Sequence, residues 1–246
     1  LRQLVDDMSL SYLAWFMKLN KSSAIGASLR YFTLGDIIFT DNNGNTIRPF
    51  RPNEFAIDVS YSFKLSERFS GGITARWINS NLTGGVNVGG ADSRAANAFA
   101  VDWGVVIQTN FFSPTDDFKD GMHIGMSISN FGTKMQYTGK NLLNPIDILP
   151  NEAGNYQDVE GMFQTQGWEL PLLFRVGMSI HPIVTENHRF TFSLDAVHPN
   201  NNSESINIGG QYKIITPNGW SFFLRGGYKA LFMVDSEFGF TGGGGL

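Results

Sequence analysis

The chain has 246 residues, no cysteine and a formal charge of −4, with only 16% of its residues charged. That excludes disulfides and thiolate metal sites, and with no basic stripe to contact a phosphate backbone, no nucleic-acid partner is expected. No apolar run approaches the roughly eighteen residues of a transmembrane helix, a limit that leaves membrane-crossing strands open.

Extended segments recur along the whole length, each an alternation of apolar and small or polar residues. Ser9–Lys18 is apolar on both faces, and Ser23–Phe32 follows after the turn "LNKSS". Beyond the loop "TDNNGNTIRPFRPN", Phe55, Ile57, Val59, Tyr61, Phe63 and Leu65 share one face, opposed by Ala56, Asp58, Ser60, Ser62 and Lys64. "SER" turns the chain into Phe69–Ile78, whose polar side carries Arg76. In "AFAVDWGVVIQT", Phe99, Val101, Trp103, Val105 and Ile107 oppose Ala98, Ala100, Asp102 and Gly104.

After "FFSPTDDFKDG" comes Met122–Ser129, then a connection from about Phe131 to Glu169 that reads as loop apart from a short strand at Lys134–Tyr137. Leu172–His181, Phe190–Asp195, Ile206–Tyr212 and Trp220–Tyr228 complete about ten strands. Both ends read as cut, from "LRQLVDDMSL" to "FTGGGGL", so a longer protein with further strands is expected.

A soluble sandwich also alternates. These strands, however, run eight to twelve residues, and their polar faces hold Gly, Ser, Ala and Asn rather than dense Lys and Glu. Strands of that length suit a tilted crossing of a bilayer, with lipid on one side and a narrow, polar lumen on the other. The expectation is an all-β, transmembrane antiparallel barrel, in one domain spanning residues 1–246.

Within it, Asp58, Arg76, Asp102, Arg175, Asp195 and Arg225 are the candidate lumenal charges, with Arg30 on a polar face as well. A lone charge there would be costly, so acids and bases in similar number predict ion pairs inside a plug-free barrel. Asp102 is expected to pair with Arg76 or Arg175.

No catalytic constellation stands out. The four histidines, His123, His181, His188 and His198, lack zinc-site spacing. "DNNGN" lacks the closing acid of a calcium loop and reads as a surface turn. "TGGGGL" and "GGVNVGG" lack the lysine and strand–helix context of a phosphate loop. No catalytic residue, metal or cofactor is expected.

The connection at about 138–168 is unusual for its grease: Leu142, Leu143, Ile146, Ile148, Leu149, Met162, Phe163 and Trp168. A water-exposed loop with so much apolar surface folds over the barrel mouth, meets a partner protein, or admits a hydrophobic solute.

Four segments in order, "NEFAIDVSYSFKLSERFSGGITARWINSNL", "AFAVDWGVVIQT", "MHIGMSISNFGTKMQY" and "LPLLFRVGMSIHP", resemble the PorV (LptO) family of Bacteroidota, outer-membrane barrels of the type IX secretion system. The resemblance implies a multi-pass barrel of the fatty-acid-transporter type in the cell outer membrane, with fourteen strands in the full protein. It implies a non-enzymatic shuttle that meets a giant translocon barrel (SprA/Sov-like), receives the C-terminal signal domain of secreted cargo, and delivers it to a cell-surface attachment complex (PorU/PorZ-like). Membrane lipid or lipopolysaccharide is the remaining implied partner. Two other functions stay open: an outer-membrane transporter of hydrophobic solutes and a lipopolysaccharide deacylase.

Overall fold

In the computed structural model the described residues are 2–5, 7–40, 43–82, 87–88, 91–139, 143–146, 151, 159–162, 166–233 and 239–246. In chain order the strands are β1 (Arg2–Val5), β2 (Met8–Lys18), β3 (Ser23–Thr33), β4 (Ile37–Thr40), β5 (Thr46–Phe50), β6 (Asn53–Lys64) and β7 (Phe69–Asn81). β8 (Asn87–Val88), β9 (Ala91–Arg94), β10 (Ala96–Gln108), β11 (His123–Gly132), β12 (Thr138–Gly139), β13 (Leu143–Ile146) and β14 (Val159–Met162) follow. β15 (Leu173–Val184), β16 (His188–Pro199), β17 (Ser205–Ile215), β18 (Ser221–Leu231) and β19 (Phe240–Gly245) close the series.

Twelve of them form one antiparallel sheet in the order β1-β2-β3-β6-β7-β10-β11-β15-β16-β17-β18-β19. Successive strands of this sheet are neighbours throughout, the simplest topology for an up-and-down meander. Its two outermost members were not legible as strands. β1 is only four residues long, and β19 is Phe-Thr followed by four glycines, so neither displays an alternation. The other strands lie in the loops: β4 pairs with β5, β13 with β14, and β9 with both β8 and β12. "DNNGN" falls between β4 and β5, with Asp41 and Asn42 outside the described residues.

Register converts alternation into faces. Leu13 lies opposite Leu29, Leu29 opposite Ile57, Ile57 opposite Trp77, and Trp77 opposite Phe99, so five strands contribute one continuous apolar row. The row is not covered by any described element: Leu13 is 69% and Phe99 63% exposed. The buried residues lie instead on the opposite, polar face. Asp58 is 4% exposed, Ser80 and Ala98 0%. This inverts a soluble protein, in which the apolar face would be the covered one.

The two ends of the sheet differ. At one end the connections are tight: 19–22, 65–68, 185–187 and 216–220, closed by bonds such as Leu65 N–H to Phe69 O at 3.0 Å and Thr185 N–H to His188 O at 2.8 Å. The exception there is 109–122, which separates β10 from β11. The other end carries the long connections 34–52, 82–95 and 133–172.

Among the register shifts of the sheet, those at β10–β11 and β17–β18 share one form. Val101 pairs with Phe131 and Trp103 with Ile128, so Asp102 faces two residues, Ser129 and Asn130. Ile206 pairs with Leu231 and Ile208 with Tyr228, so Asn207 faces Lys229 and Ala230. In each case the extra residue is left-handed, Asn130 at φ 61° and Ala230 at φ 58°. A bulge with one residue in that region is a known way to increase local twist and curvature.

Candidate functional site

The polar face is organised by two chains of charged and amide groups that step from strand to strand. The first begins on β3, where Arg30 Nη2 and the Ser28 hydroxyl donate to Asp58 Oδ2 at 2.6 and 2.9 Å. Arg76, directly opposite Asp58 in register, donates from Nε to Asp58 Oδ1 at 2.6 Å and from Nη2 to Asp102 Oδ2 at 2.7 Å. Its Nη1 also reaches Asn130 Oδ1. Asn130 then returns its own backbone N–H to Asp102 Oδ1 at 2.6 Å and its side-chain amide to the Pro171 carbonyl at 2.9 Å. Two acids and two arginines, spread over four strands, thereby neutralise one another. Such pairing lets carboxylates and guanidinia leave water, because each lone pair or N–H left unmet would cost desolvation energy.

The second chain is looser. Arg175 Nε lies 3.4 Å from Asp195 Oδ2, Asn207 donates to the same oxygen at 3.3 Å, and Asn207 Oδ1 accepts the Ala230 N–H at 2.9 Å. Arg225 meets the neutral Gln211 instead of an acid, with Nε 2.7 Å from Oε1. So the structure brings Asp58, Arg76 and Asp102 together, joins Arg175 to Asp195, and leaves Arg225 apart from both.

At the long-connection end the polar face is filled. Met135 and Trp168 form a bridge with two backbone bonds, 2.8 and 3.0 Å. The segments around them lie on Ala96, Ala98 and Ala100, with Met135 and Leu170 only 5% and 7% exposed and Ile78 and Tyr137 packed alongside. The Tyr137 hydroxyl and Ser80 Oγ are 2.9 Å apart, and Ser80 donates to Glu54 at 2.6 Å. Asn130 and Asn200 hold the Pro171 and Leu170 carbonyls. Residues 133–137 and 166–172 therefore act as a stopper seated on an alanine bed, where the sequence predicts a plug-free interior and a strand at Lys134–Tyr137. Alternate alanines are the signal for it. Three consecutive residues of one face with nothing beyond Cβ leave room for a second layer. Gly132 opens the entry to this segment, because any Cβ there would fall on the Phe99 carbonyl.

Of the apolar loop residues, Trp168 belongs to the stopper through its backbone, while its side chain is 41% exposed with its ring 5.3 Å from that of Tyr137. Leu143 and Ile146 stand on β13 and Met162 on β14, Leu143 opposite Met162. Leu142, Ile148, Leu149 and Phe163 lie outside the described residues.

At the tight-turn end the polar face opens into a basin of about 840 Å³ lined by Lys18, Lys64, Arg68, Phe118 and Lys119 among others. The 109–122 connection forms one wall. It is anchored by Arg189, whose Nη1 lies 2.9 Å from Asp120 Oδ1 and whose Nη2 donates to the Lys119 carbonyl at 3.1 Å. Arg68 binds Asn110 Oδ1 at 3.1 Å and lies 5.5 Å over the Phe118 ring. Behind this wall, the buried His181 bonds Thr191 and meets the His123 ring edge-on at 5.0 Å. Among the described residues no cluster of three or more His, Cys, Asp or Glu could hold a metal ion.

Three comparisons bear on these features. No curated protein matches the chain by sequence. Among solved structures, the crystal structure of the Pseudomonas putida toluene transporter TodX is similar over 90% of this chain and 68% of its own, at 11% identity and a TM-score of 0.43. The family model described as "Type IX secretion system protein PorV" matches residues 1–150, more than half of the chain, and this range includes β2 to β11 and the whole Arg30–Asp58–Arg76–Asp102–Asn130 chain. An uncovered apolar face, a sheet of long antiparallel strands and this match agree: the chain belongs to the PorV family, non-catalytic β-barrel proteins of the outer membrane associated with type IX secretion.

Proposed function

We propose that this protein is an accessory of type IX secretion that docks exported cargo rather than conducting it. In this reading the sheet closes into a barrel, with fourteen strands in the full protein, and the long-connection end faces the cell exterior. The loop at about 138–168 is then the docking element. It takes the C-terminal signal domain of cargo at the giant translocon barrel and hands it to the surface attachment complex. Asp58, Arg76, Asp102, Arg175, Asp195 and Arg225 face the lumen and serve to hold the wall together.

The observation that carries the reading is the stopper. A conduit needs a continuous path along its polar face, and here Met135, Leu170 and the alanine bed occupy that path at the long-connection end. The same segments fix the base of the apolar loop, which reduces the ordering cost of binding a partner through it. Apolar side chains on an element so placed are suited to a protein surface.

The test is affinity purification from native outer membranes, with the intact chain and with residues 141–167 replaced by a short polar linker. The reading requires a very large barrel protein and secreted precursors with the intact chain, and loss of precursors with the linker. Recovery of neither, together with bound fatty acid, would favour a transporter of hydrophobic solutes.

A further inference from the structure

The basin at the tight-turn end gathers five cations around one concave surface. Elsewhere on that face Arg30, Arg76, Arg175 and Arg189 each hold a carboxylate within 3.4 Å, and Arg225 stands by itself on the neutral Gln211. Lys18, Lys21, Lys64, Arg68 and Lys119 line the basin, and among the described residues none of them has a carboxylate partner. They come from four separate segments: the end of β2, the 19–22 turn, the β6–β7 corner and the 109–122 connection. Among the described residues two acids line the same space, Glu67 and Asp102, and Asp102 is already held by Arg76.

The floor beneath these cations is built to leave room. In register, Lys18 lies opposite Ala24, Ala24 opposite Ser62, and Ser62 opposite Gly72, so the row carries a long side chain only at its rim. Gly72 faces Gly104, which continues the shallow row onto β10. Lys64 is tied to the neighbouring turn through its own backbone N–H on Ser22 O at 2.7 Å, which places its side chain at the rim beside Lys21. Gly121 is what allows the 109–122 wall to fold back. A Cβ there would collide with the Thr109 carbonyl, and the Arg189–Asp120 pair then fixes the fold-back. Phe118 supplies an apolar surface between Arg68 and Lys119.

We propose that this basin is a binding site for a small soluble anion carrying two or more carboxylate or phosphate groups. Cations converging from several segments around a concave space focus a field that lysines scattered on a flat surface do not produce. Its volume of about 840 Å³ suits an organic anion of metabolite size. Lys18 and Lys64 project from the polar face, away from the apolar row, so a lipid headgroup in the surrounding bilayer is the less favoured source of the phosphate. The site lies at the opposite end from the docking loop and does not depend on the docking proposal.

The test is isothermal titration of the protein in zwitterionic nanodiscs with pyrophosphate and, separately, with citrate. Saturable one-to-one binding that weakens with added salt is expected. The double variant Lys64→Gln/Lys119→Gln, at an exposed strand end and an exposed turn, should bind at least about tenfold more weakly, while Lys134→Gln at the far end should leave binding unchanged. Retained heat-modifiable gel migration checks that the variants fold. The absence of saturable binding by the intact protein, or equal affinity in the double variant, would overturn the proposal. Repeating the titration in discs containing phosphatidylglycerol separates the sources. Unchanged affinity identifies a soluble ligand, whereas loss of binding assigns these cations to lipid headgroups and overturns it.

Discussion

Asp102 Oδ1 accepts the backbone N–H of Asn130 at 2.6 Å across the β10–β11 bulge, where Asn130 takes a left-handed φ of 61°. The carboxylate thus does two jobs: one oxygen fixes the backbone of the next strand, and the other pairs with Arg76. Asn207 and Ala230 repeat the first of these at the β17–β18 bulge, with an amide oxygen in place of the carboxylate. Asparagine is among the few residues that visit the left-handed region at modest cost, and alanine is not.

That difference predicts a stabilising substitution. Ala230 holds φ 58° with its Cβ buried, so Ala230→Gly should raise unfolding stability by about 0.5–1 kcal/mol, the relief of left-handed strain exceeding glycine's greater unfolded-chain entropy. The urea midpoint in mixed micelles is the measurement. A lowered midpoint would mean that the buried methyl contributes more than its backbone costs.

The ion network predicts an order of severity. Asp58 holds two arginines and a serine with its side chain 6% exposed, so Asp58→Asn should cost about 2–4 kcal/mol, because both charge-assisted bonds weaken at once although Arg76 keeps Asp102 and Arg30 reaches water. Asp102→Asn keeps an acceptor for the Asn130 N–H and leaves Arg76 its bond to Asp58, so its cost should be about 1.5–3 kcal/mol. Equal midpoints for Asp102→Asn and the native chain would show that the Arg76 contact contributes nothing.

The stopper predicts asymmetry between adjacent residues of β10. Ala98 is fully buried under the Met135–Leu170 layer, so Ala98→Leu should destabilise by about 1–3 kcal/mol through overpacking. It should also render residues 133–137 and 166–172 accessible to protease. Phe99, one residue on, faces outward and is 63% exposed; Phe99→Leu should change neither property. Identical protease patterns for native and Ala98→Leu protein would contradict the seating of that segment.

One pH effect follows from the β4–β5 region. A two-pronged hydrogen bond from Arg51 to Asp36, at 2.8 and 3.0 Å, holds the Asp36 carboxyl below its ordinary value of 3.8. The stabilisation is present above the unfolded value and is lost as the pH falls through the depressed folded one. Both partners are exposed, so the effect is local and screened by salt. Amide protection of residues 34–52, measured relative to the intrinsic exchange rate at each pH, should fall below about pH 4, and Arg51→Gln should abolish that change while leaving protection in β10 untouched.

The strand faces were legible because a two-residue period leaves little choice: once Phe99, Val101 and Trp103 share one side, Asp102 must take the other. The ion pair between Asp102 and Arg76 was legible only as one of two options. Pairing depends on which strands are neighbours and in what register, and a single alternation does not contain that. The stopper is not legible in the sequence. Met135 and Leu170 lie 35 residues apart, and Ala96, Ala98 and Ala100 look like a thin polar face until something is seated on them. β1 and β19 are illegible in the sequence because four residues and a run of glycine carry no pattern, and it is the partner strand that reveals them.

The docking proposal is tested most directly at Trp168, the exposed apolar side chain at the base of the long loop. A photo-crosslinking amino acid placed there, and another at Leu65 in the β6–β7 turn as a control, should be irradiated in cells that are secreting cargo. The account predicts crosslinks at position 168 to the C-terminal domain of secreted precursors or to the large translocon barrel, and none at position 65. Crosslinks at position 168 to lipid or fatty acid alone, with no protein partner, would contradict it.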